Sequence, residues 1–260
     1  MLRGIDHLVI AVPDLDAASA ELEQALGLAF TAGGRHPGAG TENRIAFLGE
    51  PYLELIAVDD PDAARQRPIG QAALRALDAG GGLATYALLD DALEVTVAEL
   101  RANDSAIGEA TPGSRERPDG ERVAWATATF ERLGPDRPPF LIRHTATGAE
   151  WSHAALAERR AFLHPIGSAV ALHRLDLATP DPPGLAAEYF AQLGLELWAV
   201  ADLAVATLGP PTLRLGPTRQ MPVGTAVVLG AAVDAPRSVD ALGIRFLVEP
   251  GDPVEGPGAR

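Results

Sequence analysis

The stretch that decides the fold is PDLDAASAELEQALGL, residues 13–28, because a second copy of it occurs later in the chain. The second copy is PDPPGLAAEYFAQLGL (180–195), which aligns with the first without a gap and is identical at seven of sixteen positions. Each copy starts with a turn, continues as an amphipathic helix and reaches a glycine, a residue typical of helix C-termini. The pattern predicts a duplicated unit, although the capping preferences of any strand–turn–helix unit are an alternative explanation.

An apolar run suited to a strand precedes each helix, IDHLVIAV (5–12) in the first copy and ALHRLDLAT (171–179) in the second. Two weaker copies complete a set of four, ATYALLDDALEVTVAELRAND (84–104) and GTAVVLGAAVDAPRSVDALGIRFLVEP (224–250). In the last copy, SVDALG (238–243) is predicted to be all that remains of the helix. Four related units in one chain indicate a repeat architecture.

Further strand candidates follow each complete helix, so each unit reads strand–helix–strand–strand–strand. The predicted fold class is therefore α+β, built from tandem βαβββ modules, with a shorter second pair. The candidates are LAFTAGG (28–34), RIAFLG (44–49), YLELIAV (52–58), RVAWATATF (122–130), PFLIRHT (139–145), LAVATLG (203–209) and PTLRLG (211–216).

The predicted domain boundary lies in a polar, partly helical segment between the second and third modules. We expect a first domain over 1–146, with modules at 1–60 and 80–146, and a linker over 147–166. A second, degenerate domain is expected over 167–260.

Composition excludes several classes of function. The chain has 260 residues, a net charge of −14 and no cysteine. Its acidic balance disfavours nucleic acid, and it has no apolar run long enough to span a membrane. Disulfides and thiolate chemistry are excluded, so any metal would need nitrogen and oxygen ligands. We expect a cytoplasmic protein, a small-molecule ligand and a homodimer as one option.

Four motifs resemble those of the glyoxalase-like domain family in the vicinal oxygen chelate superfamily, which includes glyoxalase I, extradiol dioxygenases and bleomycin-resistance proteins. They are IDHLVIAVPDLDAA (5–18), GGRHPGAGTEN (33–43), YLELIAV (52–58) and HPIG (164–167). The resemblance implies that paired modules curl into a cupped mixed sheet. It also implies an active site in the cavity that the first two modules share.

Two residues match metal-ligand positions of glyoxalase I in the first module, His7 and Glu54. Imidazole and carboxylate suit Zn, Ni, Mn or Fe(II), whereas a hydrogen bond between the two is the structural alternative. In the second module, Thr85 stands at the first corresponding position and Arg143 or Ile142 at the second. Threonine is a poor ligand, and an arginine that stays protonated cannot be one. Strand alternation turns His144 away from Arg143. A divalent metal therefore remains the alternative to a metal-free site.

Without a metal, the same cavity suits acid–base chemistry. Glu54 is the candidate base, with His7 or His36 as its proton partner. The glycine-rich loop around His36 is predicted to cover the cavity mouth, or else only to satisfy its own backbone. Four further residues are expected to bind substrate: Asn43, Tyr52, Trp125 and Arg143. Core packing is the alternative for Trp125, and Arg143 would hold a carboxylate.

Two functional hypotheses follow. The first is a lyase or isomerase that acts on a small carbonyl or carboxylate compound. The second is a non-catalytic protein that sequesters a small molecule, as bleomycin-resistance relatives do. The third and fourth modules lack the histidine–glutamate pair, so the second half is expected to be structural or to form a dimer surface.

Overall fold

The computed structural model describes residues 2–145, 150–209, 211–221 and 224–251. The first half contains two complete βαβββ modules. The first is β1 (Leu2–Ala11), α1 (Leu15–Leu26), β2 (Gly34–His36), β3 (Thr41–Phe47) and β4 (Tyr52–Val58). Helices α2 (Pro61–Ala64) and α3 (Pro68–Asp78) lead to the second. That module is β5 (Gly82–Asp90), α4 (Leu93–Ala102), β6 (Thr111–Glu116), β7 (Arg122–Ala128) and β8 (Phe140–His144).

The second half is shorter, and it follows helix α5 (His153–Arg160). Its first module is again complete, with β9 (Val170–Thr179), α6 (Pro182–Leu193), β10 (Trp198–Val200), β11 (Leu203–Thr207) and β12 (Thr212–Pro217). The last module has three strands, β13 (Thr225–Ala231), β14 (Arg237–Ala241) and β15 (Ile244–Pro250).

The two halves close differently. Strands of the first two modules form a closed barrel in the order β1-β4-β3-β2-β6-β7-β8-β5, whereas the others form a seven-stranded sheet, β10-β11-β12-β9-β13-β15-β14. Within a complete module the first strand runs parallel to the last, as β1 does to β4 and β9 to β12. The predicted α+β class, with paired modules and a shorter second pair, is confirmed.

Local capping explains why the duplicated helices begin and end where they do. Asp14 and Asp181 accept backbone N–H groups of the first helical turn, which would otherwise lack partners. Gly27 and Gly194 end the helices in the left-handed conformation, with φ of 70° and 63°. The helices predicted from the repeated stretch are therefore confirmed.

Two predicted elements are wrong. SVDALG does not contain a residual helix, because its first four residues belong to β14. Leu242 and Gly243 both have positive φ and join β14 to β15 as a two-residue hairpin turn, which a helix cannot accommodate. LAFTAGG contributes only Gly34 to a strand, so His36 lies at the end of β2 rather than in a loop.

The two halves pack against each other through buried contacts. The hydroxyl oxygens of Tyr86 on β5 and Tyr189 on α6 lie 2.6 Å apart, and both residues are fully buried. The backbone N–H of Ile166 donates to Gly27, next to the end of α1. In the described part of the chain, no helix has the length and apolar character that crossing a membrane requires.

Candidate functional site

The barrel encloses a cavity of about 190 Å³ that both of its modules line. The turn after β2 and the first turn of α3 also line it. Seven residues were predicted at this site, and six of them line the cavity: His7, His36, Asn43, Tyr52, Glu54 and Trp125. Strands β1, β2, β3, β4 and β7 therefore bring together side chains that lie far apart in the sequence.

Arg143 is the exception, and the prediction that it lines the cavity is wrong. Side chains alternate along β8, so that Ile142 and His144 face inward while Arg143 faces outward. The Arg143 guanidinium donates to Glu94 Oε1 at 2.6 Å on the outer surface. Alternation correctly separated Arg143 from His144, but the assignment of the inward face was reversed.

A β-bulge places two neighbouring polar residues of β1 at the site. Ile5 pairs with Leu88 and His7 with Ala87, so that Asp6 has no partner on β5. A bulge interrupts the strict alternation that would have turned the side chain of Asp6 away from His7. The His7 Nδ1 to Asp6 Oδ1 distance is 2.6 Å. Sequence reasoning missed Asp6 because it assumed a regular strand.

The carboxylate of Asp6 lies between two imidazoles. His144 Nε2 is 3.0 Å from both Asp6 oxygens. Burial alone would raise the pKa of Asp6, but the imidazoles of His144 and His7 hold that pKa well below its ordinary value. An ionised carboxylate only accepts hydrogen bonds, so His7 Nδ1 and His144 Nε2 act as donors.

Glu54 lines the cavity, with one partner for each of its oxygens. His7 Nε2 is 3.5 Å from Glu54 Oε2, and the Asn43 amide donates to Oε1 at 2.5 Å. His36 Nε2 is 3.8 Å from Oε1, which is beyond hydrogen-bond length. Only 8% of the Glu54 side chain is exposed. The predicted pairing of His7 with Glu54 is therefore present in the structure.

The ring of His36 is oriented by its neighbours on β3 and β7. Its Nδ1 is 2.8 Å from the hydroxyl of Thr41, and Trp125 meets the ring edge-on at 5.9 Å. Burial lowers the pKa of His36, while the nearby Glu54 opposes this shift. His36 is therefore neutral at neutral pH. When Thr41 donates to Nδ1, the proton of the imidazole resides on Nε2 and faces Glu54.

Aromatic rings stack on two of the imidazoles. Tyr52 stacks on His7 with ring centroids 4.5 Å apart. Trp151 stacks on His144 at 3.3 Å, and the rings of Tyr52 and Trp151 are 6.1 Å apart. Burial raises the pKa of Tyr52 well above its ordinary value, and Asp6 and Glu54 add to that effect. The tyrosine hydroxyl therefore stays protonated.

Sequence reasoning also missed a buried cation, Arg115. It lies on β6, which was not recognised as a strand because TPGSRE (111–116) has no apolar alternation. The Arg115 guanidinium approaches Asn43 Oδ1 at 3.4 Å and binds both oxygens of Glu150 at 2.7 Å. Gly34 lies opposite on β2, and a Cβ there would meet Arg115 Cγ at 2.6 Å. Because glycine has no side chain, the Arg115 side chain fits against β2 at this position, where the pairing of β2 with β6 closes the barrel.

The residues present do not fit a divalent metal of the glyoxalase I kind. Within the described ranges, no group of three or more histidine, cysteine, aspartate or glutamate side chains has a metal-binding arrangement. Thr85 is buried, and its hydroxyl has no hydrogen-bond partner in the part of the chain that the structure describes. The Arg115 guanidinium would repel a cation in the same cavity. No step of the chemistry below is derived through a metal.

Comparisons with known proteins agree with this architecture. A family model described as a glyoxalase-like domain matches residues 5–194. No curated protein sequence matches the chain. A hypothetical protein from Staphylococcus aureus is similar over 96% of this chain and 100% of its own, with a TM-score of 0.79 and 15% identity. At that identity, the similarity concerns the fold alone.

Two methylmalonyl-CoA epimerases are more distant. The Streptomyces coelicolor enzyme has a TM-score of 0.42 and 18% identity, over 56% of this chain and 100% of its own. The Mycobacterium tuberculosis enzyme has a TM-score of 0.41 and 18% identity, over 55% and 89%. The family match, by contrast, spans most of the chain, from β1 to the end of α6. The protein therefore belongs to the glyoxalase-like domain family.

Proposed function

We propose that the barrel cavity catalyses proton transfer at a carbon beside a carbonyl or carboxylate group of a small molecule. The reaction is of the isomerase or lyase type. The observation that carries the proposal is the position of Glu54, a buried carboxylate with an imidazole on each side. A carboxylate removed from water is a functional-site candidate when specific partners hold it in a cleft.

Glu54 is the proposed general base. Its Oε atom removes the proton from the acidic carbon, and the electron pair of the broken C–H bond moves towards the carbonyl oxygen. The Asn43 amide holds Oε1 in place, which limits the rotation of the carboxylate. Return of the proton to the same carbon or a neighbouring one gives an epimer or an isomer. Departure of a group from the carbon next to the carbanion instead gives a lyase reaction.

Of the two imidazoles that flank Glu54, His36 is the proposed proton donor and His7 the proposed proton acceptor. The neutral His36 offers its Nε2 proton to the oxygen on which negative charge develops. His7 is held by Asp6 through Nδ1, so that its Nε2 remains directed at Glu54 and exchanges a proton there. The Nε2 atoms of His7 and His36 lie 3.5 and 3.8 Å from the Glu54 carboxylate. Hydrogen bonds of this kind often shorten when a ligand binds, so both imidazoles can reach a ligand atom.

The cavity dimensions restrict the substrate. A free volume of about 190 Å³ is below the usual range for drug-sized ligands, so a compact molecule is expected. Tyr52 and Trp125 are proposed to pack against its apolar part, and Asn43 to contact a polar group. Non-catalytic sequestration of such a molecule is the competing hypothesis, and it requires no proton transfer.

Hydrogen exchange into the ligand separates the two hypotheses. The protein is incubated in D₂O with small 2-oxo and 3-oxo carboxylates, and loss of the signal of the proton next to the carbonyl is followed by NMR. An enzyme accelerates this loss over buffer for at least one compound, and Glu54→Gln removes the acceleration while binding persists. If compounds bind and exchange only at the buffer rate, the protein is a binder and the proposal fails.

A further inference from the structure

The carboxylate of Glu150 lies at the edge of the cavity among three guanidinium groups. Arg115 binds both of its oxygens at 2.7 Å. Arg117 lies 3.7 Å from Oε1, and Arg159 lies 3.7 Å from Oε2. Both Glu150 and Arg115 line the cavity, so this cluster is part of the cavity wall.

The charges of this cluster do not balance. Arg117 is also paired with Asp119 and Glu121. The buried guanidinium groups of Arg115 and Arg159 therefore share the single carboxylate of Glu150, although the whole chain carries a net charge of −14. Arg159 is 4% exposed, and its Nη1 and Nη2 atoms have no hydrogen-bond partner within the described residues. Burying a charge without a full set of partners is unfavourable. An excess of buried guanidinium groups beside a cavity therefore indicates an anion-binding site.

The side chain of Asn43 connects this anion-binding site to the proposed base. Asn43 accepts from Arg115 through Oδ1 and donates to Glu54 through Nδ2. A ligand anion bound to Arg115 would therefore lie one residue away from Glu54. In the structure, Nη2 of Arg115 contacts both oxygens of a carboxylate while Nη1 approaches Asn43, so the guanidinium holds an anion and the positioning amide at the same time.

We propose that Arg115 is the binding site for a carboxylate group of the ligand, and that the carboxylate of Glu150 takes the ligand's place in this structure. The inference deepens the proposed function, because it names the substrate class as carboxylate-bearing. Binding of the ligand displaces Glu150 from Arg115, and Arg117 and Arg159 then remain close enough to stabilise either carboxylate.

The first test replaces Glu150 and supplies a free carboxylate. Thermal unfolding of Glu150→Ala is measured with rising concentrations of sodium formate or acetate, with sodium chloride and acetamide as controls. Formate and acetate are expected to raise the midpoint of the variant by about 3 °C or more, because they bind only the folded state. The wild type is expected to respond much less, since Glu150 competes.

A matched control comes from the surface. Glu50 forms an ion pair with Arg160, in which both side chains are about half exposed. Glu50→Ala should show no specific response to formate. If Glu150→Ala responds no more than Glu50→Ala, or responds equally to chloride, Arg115 is not a carboxylate site.

The second test uses Glu150→Gln, which keeps the shape of the side chain. Binding of pyruvate and benzoate, and of their amides, is followed by calorimetry and by the fluorescence of Trp125 and Trp151. Each carboxylate is expected to bind Glu150→Gln at least tenfold more tightly than the wild type, with no gain for the amides. Unchanged or weaker carboxylate binding, absence of any binding, or an equal gain for the amides would overturn the proposal.

Neither test depends on catalysis. A protein that binds carboxylates at Arg115 but exchanges no hydrogen would retain this inference and lose the proposed function. If the protein exchanges hydrogen into an uncharged ketone but replacement of Glu150 does not change carboxylate binding, the proposed function is retained and this inference is lost.

Discussion

Strands β1 and β9 have the same local geometry but carry different chemistry. Both contain a bulge, at Asp6 in β1 and at His173 in β9, which lies between Leu172 and Arg174 in the pairing with β13. Both run parallel to the last strand of their module. Their register shows that Arg174 takes the place of His7, and that Arg214 takes the place of Glu54.

The second half pairs its charged residues with one another on the sheet itself. Asp176 accepts two hydrogen bonds from Arg214, at 2.6 and 2.5 Å, and two from Arg174, at 2.9 and 3.1 Å. The arginine side chains keep 24% and 31% exposure, whereas His7 and Glu54 keep 4% and 8%. Pairing of β2 with β6 closes the barrel around the first pair, and the other sheet has no such closure. One module therefore does not bury these side chains by itself. In the first half, the second module buries them and encloses the cavity.

The largest effect is expected from replacing the charged residue at the same register in each half. Glu54→Gln removes the proposed base, so the hydrogen-exchange rate should fall by about a thousandfold. Arg214→Gln on β12 should leave that rate unchanged. The rates are measured by NMR in D₂O, and equal rates for wild type and Glu54→Gln would contradict the assignment of the base.

The bulges offer a second matched pair. In Asp6→Asn, the amide can donate to His7 and reverse its tautomer, so the exchange rate should fall by about a hundredfold. The pH at which the rate is half-maximal should also shift, because Asp6 acts through His7. His173→Gln at the β9 bulge should have neither effect. A fall in rate without a shift in the pH profile would indicate that Asp6 only supports the fold.

A third prediction concerns the stability of the open sheet. Asp176→Asn leaves the guanidinium groups of Arg174 and Arg214 without their counter-ion. Because these groups are partly exposed, the free energy of unfolding should fall by about 2 kcal/mol. Denaturant unfolding measures this change, and the exchange rate should vary less than about twofold. Asp240→Asn, which disrupts the exposed pair with Arg245, should change stability little. A large loss of activity in Asp176→Asn would show that the halves are coupled.

The smallest effect is on the pH dependence of stability. Burial lowers the pKa of His144, against the opposing effect of Asp6. The unfolded chain therefore binds more protons below about pH 6.5, so stability declines as the pH falls. Between about pH 7 and pH 5, His144→Gln should lose about 1 kcal/mol less than the wild type. His153→Gln, at an exposed position, should follow the wild type. Equal losses in both variants would contradict the prediction.

Much of the first half could be predicted because its signals are local. Capping residues identified the helices, and the family resemblance, rather than strand alternation, implied that His7 and Glu54 share one site. The barrel wall was harder to predict. β6 is polar and contains proline and glycine, so Arg115 had no recognisable strand around it. Alternation along β8 correctly separated Arg143 from His144, but the inward face is determined by packing against β5 and β7.

The sequence by itself determined the order of the modules and the ends of α1 and α6. These properties depend on hydrogen bonds, backbone angles and side-chain periodicity within short segments. The tertiary structure alone decided that Asp6 joins His7, that His144 faces inward, and that Arg115 meets Glu150. Those contacts depend on bulges, strand register and barrel closure, which arise between residues distant in the chain.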